Sequence, residues 1–180
     1  IIGKDFQWNT GFNITVPKNK LIAFPNLEES TYASRYQIGL PTSIVKLYKY
    51  IGINSETGIY EFEDVNNDGV LNADDRQTKI NMGVTLFGGL QNSFRYRNWN
   101  LDFNWMFVKQ KVYSPDYYGN FLGSFNNQPA RANDYFSQDN KDARYQIPTT
   151  GTNGKALQAY QNYNSSDAVV TDGSYIRLKS

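Results

Sequence analysis

Trp99, Leu101, Phe103, Trp105 and Phe107 occupy alternate positions, with Asn98, Asn100, Asp102 and Asn104 between them. Successive side chains of an extended strand point to opposite faces, so this stretch has one aromatic, apolar face and one strongly polar face. An apolar face needs an apolar neighbour. In a soluble sandwich that neighbour is a second sheet; in a transmembrane barrel it is lipid, and the polar face turns to a watery lumen.

The alternation recurs. Phe6, Trp8, Thr10, Phe12, Ile14 and Val16 share one face, and Asp5, Gln7, Asn9, Gly11, Asn13 and Thr15 share the other. This run slightly exceeds the roughly 9 to 11 residues that a tilted strand needs to cross hydrocarbon. Leu90, Phe94 and Tyr96 alternate with Gln91, Ser93 and Arg95, then turn tightly through Arg97 and Asn98 into the Trp99 strand, which predicts one long β-hairpin. The repetition favours the barrel and assigns lipid contact to Phe6, Trp8, Phe12, Ile14, Phe94, Tyr96, Trp99, Leu101, Phe103, Trp105 and Phe107.

Composition agrees with a chain that does not build an ordinary core. Aromatics make up 16% of the 180 residues, Tyr alone numbers 14, and the mean hydropathy is −0.62. The longest apolar run, Trp105 to Val108, falls far short of the ~20 residues of a spanning helix, whereas a barrel strand is invisible to that criterion because only alternate residues meet lipid. A net charge of +1 without clustered Lys and Arg gives no footprint for nucleic acid. With no Cys and no His, Ser-His and Cys-His nucleophiles, thiolate metal sites and the usual general base are excluded, and the chain is not expected to be an enzyme.

Along the chain, Pro17 to Lys20 read as a turn, with a brief return over Leu21 to Phe24 and a strand from about Ser43 to Ile51. A short strand carries Tyr60 and Phe62. Helix signals are confined to Glu28 to Tyr36, two turns at most. Residues 110–172 form a polar, Tyr- and Asn-rich region expected to be a long external loop, of the kind barrels carry on one side. Ring stacking and amide hydrogen bonding suit Tyr113, Tyr117, Tyr118, Asn120, Tyr135 and Tyr145 to contact with a substrate or a lid. The strand at Ser174 to Ser180 has no successor to pair with, so the chain reads as a segment of something larger.

Residues 64–75 carry oxygen side chains at loop positions one, three, five, nine and twelve, with Gly69 at six. That is calcium-loop spacing, and it nominates Asp64, Asn66, Asp68, the Val70 carbonyl, Asn72 and Asp75 as ligands of a structural Ca²⁺ held at about 10⁻⁴ to 10⁻³ M. Asp75 replaces the usual bidentate Glu, and no convincing helix flanks the loop. The alternatives are an acidic Asx-turn loop without metal and, third, a catalytic carboxylate pair.

Several spaced phrases together resemble the C-terminal half of the SusC/RagA family of TonB-dependent outer-membrane transporters. They are Gly58 and Phe62 leading into Asp64-Val65-Asn66-Asn67-Asp68-Gly69, Gly88-Gly89-Leu90 with Asn92, Phe94-Arg95-Tyr96-Arg97-Asn98-Trp99-Asn100-Leu101, and Asp172-Gly173-Ser174-Tyr175-Ile176-Arg177-Leu178-Lys179. Two local departures are Asn81-Met82-Gly83-Val84, where the family often has Pro, and Tyr135-Phe136 before Asp139-Asn140, where it has Trp.

The resemblance implies a segment of an all-β, antiparallel transmembrane barrel of about 22 strands, of which residues 1–180 would supply about six or seven. It further implies a plug and a TonB-contacting segment outside this chain, a SusD-like surface lipoprotein as lid, and import of oligosaccharides or peptides across the outer membrane of a Gram-negative bacterium. The alternative is a secreted, soluble β-sandwich that binds glycans and carries a structural calcium loop. A third reading, a siderophore or vitamin receptor, shares the barrel but needs no lid.

Overall fold

The computed structural model describes residues 3, 5–115 and 119–179. Among them lie ten strands and one α-helix: β1 (Phe6–Thr15), β2 (Ile44–Leu47), β3 (Tyr50–Ile53), β4 (Tyr60–Phe62), β5 (Thr78–Asn81), β6 (Leu86–Tyr96), β7 (Trp99–Lys109), β8 (Lys111–Tyr113), α1 (Gly154–Tyr163), β9 (Val170–Asp172) and β10 (Tyr175–Lys179). The fold is all-β in character and every strand ladder is antiparallel. Four strands form one long sheet in the order β1-β6-β7-β10, and the other six form three two-stranded ribbons. The long sheet is open, with β1 and β10 each paired on one side only among the described residues. It is a wall segment without closure.

The hairpin expected between Leu90 and Phe107 is present and longer, with eleven paired positions from Leu86↔Lys109 to Tyr96↔Trp99. Its two-residue loop puts Arg97 at φ 51°, the positive value that primed hairpin turns place at their first central residue. Gly88 lies opposite Ile14 on one side and Phe107 on the other. A Cβ there would press on the Asn13 carbonyl and stand 2.5 Å from Phe107 Cζ, so the Phe107 ring needs the missing side chain.

The wall has no core. No large apolar residue of β1, β6, β7 or β10 is among the buried ones. Burial is concentrated in a second region, a lobe in which the β3-β4 hairpin packs on α1. Tyr60 stacks on Tyr163 with ring centroids 4.3 Å apart, Tyr50 meets Tyr163 edge-on at 5.6 Å, and Ala159 and Val169 complete the cluster. The Gln146 side chain ties hairpin to helix: its Oε1 accepts from Tyr60 N at 3.2 Å and its Nε2 donates to the Ala156 carbonyl at 2.6 Å. Asn153 caps α1 by accepting from Ala156 N at 3.1 Å.

Wall and lobe join through a bend. The β7-β10 pair continues as the β8-β9 ribbon after a break at Gln110, where Gly173 N donates to the Gln110 carbonyl at 3.0 Å. Asp172 Oδ1 accepts from Ser174 N at 2.8 Å, an Asx-type turn that redirects the strand. A side chain at position 173 would collide with Val112, which explains glycine in the Asp172-Gly173-Ser174 phrase.

The structure refines three expectations. Residues 110–172, expected as one long loop, hold β8, α1, β9 and three buried aromatics, Phe136, Tyr145 and Tyr163. Glu28 to Tyr36, expected to make two helical turns at most, contributes to one 3-10 turn at Leu27–Glu29, entered through Asn26 at φ 54° without a side-chain cap. The single strand expected from Ser43 to Ile51 is two, because Tyr48 leaves the ladder to bridge Ser166, and Asp167 Oδ1 accepts the N–H of Tyr50 at 2.9 Å.

Candidate functional site

Register decides which side chains share a face, since directly opposed residues in an antiparallel pair project to the same side. Phe12, Leu90, Trp105 and Leu178 form one row across all four strands, and Ile14, Gly88, Phe107 and Ile176 form the next. Trp8, Phe94 and Leu101 make a third row, and Phe6, Tyr96 and Trp99 a fourth. Every residue assigned to lipid contact from the sequence therefore lies on one face, with Phe103 in the row of Thr10 and Asn92. Leu90, Ile176 and Leu178 join that face although the candidate set left them out; alternation of Ile176 and Leu178 with Tyr175 and Arg177 is the signal that finds the last two. The opposite face carries Gln7, Arg95 and Asn100 in one row and Asn9, Ser93 and Asp102 in another.

The apolar face is bare. Trp99 is 79% exposed, Ile176 73% and Phe12 64%. A sandwich requires a second sheet here, and none covers these residues among those described. The rings organise themselves within the face: Trp8 stacks on Phe94 at 5.5 Å, Phe94 on Phe103 at 5.9 Å, and Phe12 on Phe107 at 6.0 Å. Two polar side chains sit among them with partners. Asn92 Oδ1 accepts from Trp8 Nε1 at 3.1 Å, and Thr10 Oγ1 donates to the Gln91 carbonyl at 3.1 Å.

The acidic loop between β4 and β5 is held by its own hydrogen bonds. Asp64 Oδ2 accepts from Gly69 N at 2.8 Å, Asn66 Oδ1 from Asp68 N at 3.1 Å, and Asp68 Oδ1 from Val70 N at 2.8 Å. Asn72 Oδ1 takes Asp74 N at 2.7 Å, and the Val70 carbonyl takes Asn72 Nδ2 at 3.3 Å. Asp75 is fully buried and accepts from Asn72 N at 2.8 Å and Val65 N at 2.9 Å; these backbone donors hold its carboxyl below the usual carboxylate range. Gly69 takes φ 79°, the tight turn its position predicts.

The donor types suit calcium, but their aim does not make a ready cage. Among the described residues no three acidic side chains gather closely enough to hold an ion. One candidate oxygen, Asp64 Oδ1, is buried without a hydrogen-bond partner.

The candidate substrate contacts do not converge. Tyr145 is buried and bridges Tyr135, which is 40% exposed. Asn120 and Tyr145 border a cleft of about 40 Å³ beside Tyr60 and Tyr160, room for a few waters and not for a sugar ring. Tyr113 borders a larger pocket of about 480 Å³. Tyr117 and Tyr118 lie outside the described residues.

An open antiparallel sheet with one bare, mainly apolar face and one mainly polar face, joined to a lobe that holds the buried cluster, is consistent with a barrel-wall segment. No protein-family model matches the chain, and no curated protein matches it in sequence. Among solved structures, a chain in the structure of the RagAB peptide transporter is similar to it, with a TM-score of 0.67 at 19% identity over 99% of this chain. The match covers 20% of that chain, so the residues here span about one fifth of its length. The two share a fold.

Proposed function

We propose that this chain is part of the barrel wall of a TonB-dependent outer-membrane importer of the SusC/RagA kind. It would work with a SusD-like surface lipoprotein to take up oligosaccharides or peptides. The observation that carries this reading is the four-strand register, which gathers most of the aromatic and aliphatic positions onto one uncovered face and most of the amides and charges onto the other, with Phe87, Met106, Val108 and Tyr175 as apolar exceptions toward one end of the sheet. A face so apolar and so bare costs least against hydrocarbon, and the polar face then lines a lumen. The fold shared with a peptide-transporter chain supports the same assignment.

In this reading the wall's function is enclosure and passage, with no covalent step assigned to it. The Arg97-Asn98 turn, being short, belongs on the periplasmic side, which puts the acidic loop and the lobe outside, toward incoming substrate and lid. A weak structural Ca²⁺ remains part of the proposal. It rests on the donor spacing and on the unpartnered Asp64 Oδ1, and binding requires Asp68 or Asp75 to release backbone N–H groups.

Fractionation of source cells with an antibody against residues 110–172 tests the assignment. The expected result is a membrane-embedded band whose mass is about five times that of 180 residues, as the one-fifth coverage implies. A soluble band near 20.6 kDa would overturn it.

A further inference from the structure

We infer that the pocket beside β2 binds an extended peptide bearing a carboxylate. This rests on the importer reading and narrows its substrate class. The pocket, of about 480 Å³, is bordered by Arg35, Lys46, Arg76 and Asn164 and by no acidic side chain. Its volume falls within the ~300 to 1,000 Å³ of small-ligand sites.

All four residues of β2 border the pocket, and because their side chains alternate between faces, it is the strand's edge that meets it. Met82 N donates to the Ser43 carbonyl at 3.0 Å, so positions 43 and 82 bond to one another, and by alternation positions 45 and 47 also bond to β5. The N–H of Lys46 and the carbonyls of Ile44 and Lys46 therefore face away from β5, on an edge that is open up to Lys46 and closed at Tyr48, which bonds to Ser165 and Asp167. The open stretch from Ile44 to Lys46 spans about 7 Å at ~3.3 Å per residue, enough for two or three residues of an extended peptide to pair with it.

Charge supplies the second half. Arg76 is held over the Tyr48 ring at 4.7 Å, and its Nε is buried without a hydrogen-bond partner. Asn164 Oδ1 is likewise buried and unpartnered. Both atoms are closed to the pocket, so the contribution of Arg76 to a bound carboxylate is the positive charge of its guanidinium at the pocket wall. Arg35 adds positive charge, as does Lys46, whose Nζ donates to the Ala33 carbonyl at 2.7 Å, and the ion pair found among the described residues, Lys49 with Asp167, involves neither. A lone anion leaves the β2 edge unmet, and a sugar lacks the alternating N–H and carbonyl spacing of that edge.

The test uses the protein purified in detergent and a fluorescein-labelled Gly-Val-Glu-Val-Glu peptide, read by anisotropy beside the Gly-Val-Gln-Val-Gln carboxamide. The acidic peptide is expected to bind at least about tenfold more tightly, as charge-assisted hydrogen bonds imply. Arg76→Gln and Arg35→Gln should each erode that preference, and an unchanged circular-dichroism spectrum and thermal midpoint show that the variants are folded. Equal binding of the two peptides, a preference that survives both substitutions, or displacement by a glucuronate oligosaccharide at similar concentration would overturn the site. A membrane-embedded protein that ignores the acidic peptide loses the site alone, whereas a soluble protein that binds it loses the importer reading and keeps the site.

Discussion

Trp8 and Asn92, 84 positions apart, are joined on the apolar face of the wall by an indole N–H donated to the amide oxygen at 3.1 Å. Asn92 is only 6% exposed, so its oxygen has little access to other partners once the indole is gone. Trp8→Phe should cost about 1 to 3 kcal/mol for the orphaned acceptor, beyond the smaller ring's lost contacts. Adding Asn92→Leu should recover part of that loss. Urea unfolding of the lipid-reconstituted protein measures both, and a double variant no more stable than Trp8→Phe would show that the hydrogen bond is incidental.

The two faces should respond differently to the same charge. Trp105→Arg places a guanidinium beside Leu90 and Leu178 and should destabilise the reconstituted protein by roughly 2 to 4 kcal/mol at mid-membrane depth, less near an interface. Asn104→Arg projects to the side of Gln91 and should change stability by well under half of that. Matching losses in lipid unfolding would contradict the face assignment.

Asp75 makes the acidic loop sensitive to acid in a defined direction. Its folded pKa lies below the ordinary 3.8 because backbone N–H groups, that of Asn72 first, favour the ionised form. The stabilising contribution is complete above that ordinary value and is lost as pH falls below it toward the folded pKa. Amide exchange at Val65 and Asn72 should therefore accelerate below about pH 3.8. In Asp75→Asn both amides should exchange faster at neutral pH and lose that acid dependence; an unchanged acid response would remove Asp75 as its source.

Calcium acts on the same loop by displacing its internal hydrogen bonds. With a dissociation constant near 1 mM, 10 mM Ca²⁺ should stabilise the protein by about 1.4 kcal/mol through mass action, and Asp64→Asn should abolish the gain. Thermal unfolding with Ca²⁺ against Mg²⁺ reads this, and identical curves would leave the loop as a metal-free turn held by its own amides.

The wall was legible in the sequence because a strand with one face in a single environment must alternate, and β1 does so along its ten residues, β7 from Trp99 to Trp105 and β6 from Ser93 to Tyr96. The lobe was not, for reasons visible in α1. Its buried positions are Ala156, Ala159 and Tyr163, and two alanines write almost no hydrophobic period into a polar stretch. The split of β2 from β3 depends on Ser166 and Asp167, more than a hundred residues downstream, which no local pattern reports. The Arg35-Arg76-Asn164 pocket is hidden for the same reason, being assembled from three distant segments. The tyrosines nominated as contacts turned out differently from one another: Tyr145 is buried in the lobe while Tyr135 stays half-exposed.

A nitroxide scan along β7 tests the central claim most directly, and the absence of native cysteine in the chain makes it practicable. Residues 100–107 are replaced singly by Cys, spin-labelled, and read in lipid for collision with oxygen, which partitions into hydrocarbon, and with a water-soluble nickel complex. The account predicts a period of two, with oxygen dominating at Leu101, Phe103, Trp105 and Phe107 and nickel at Asn100, Asp102 and Asn104. Uniform access of the nickel complex to all these positions, or protection of both faces from both reagents, would contradict a wall with lipid on one side and water on the other.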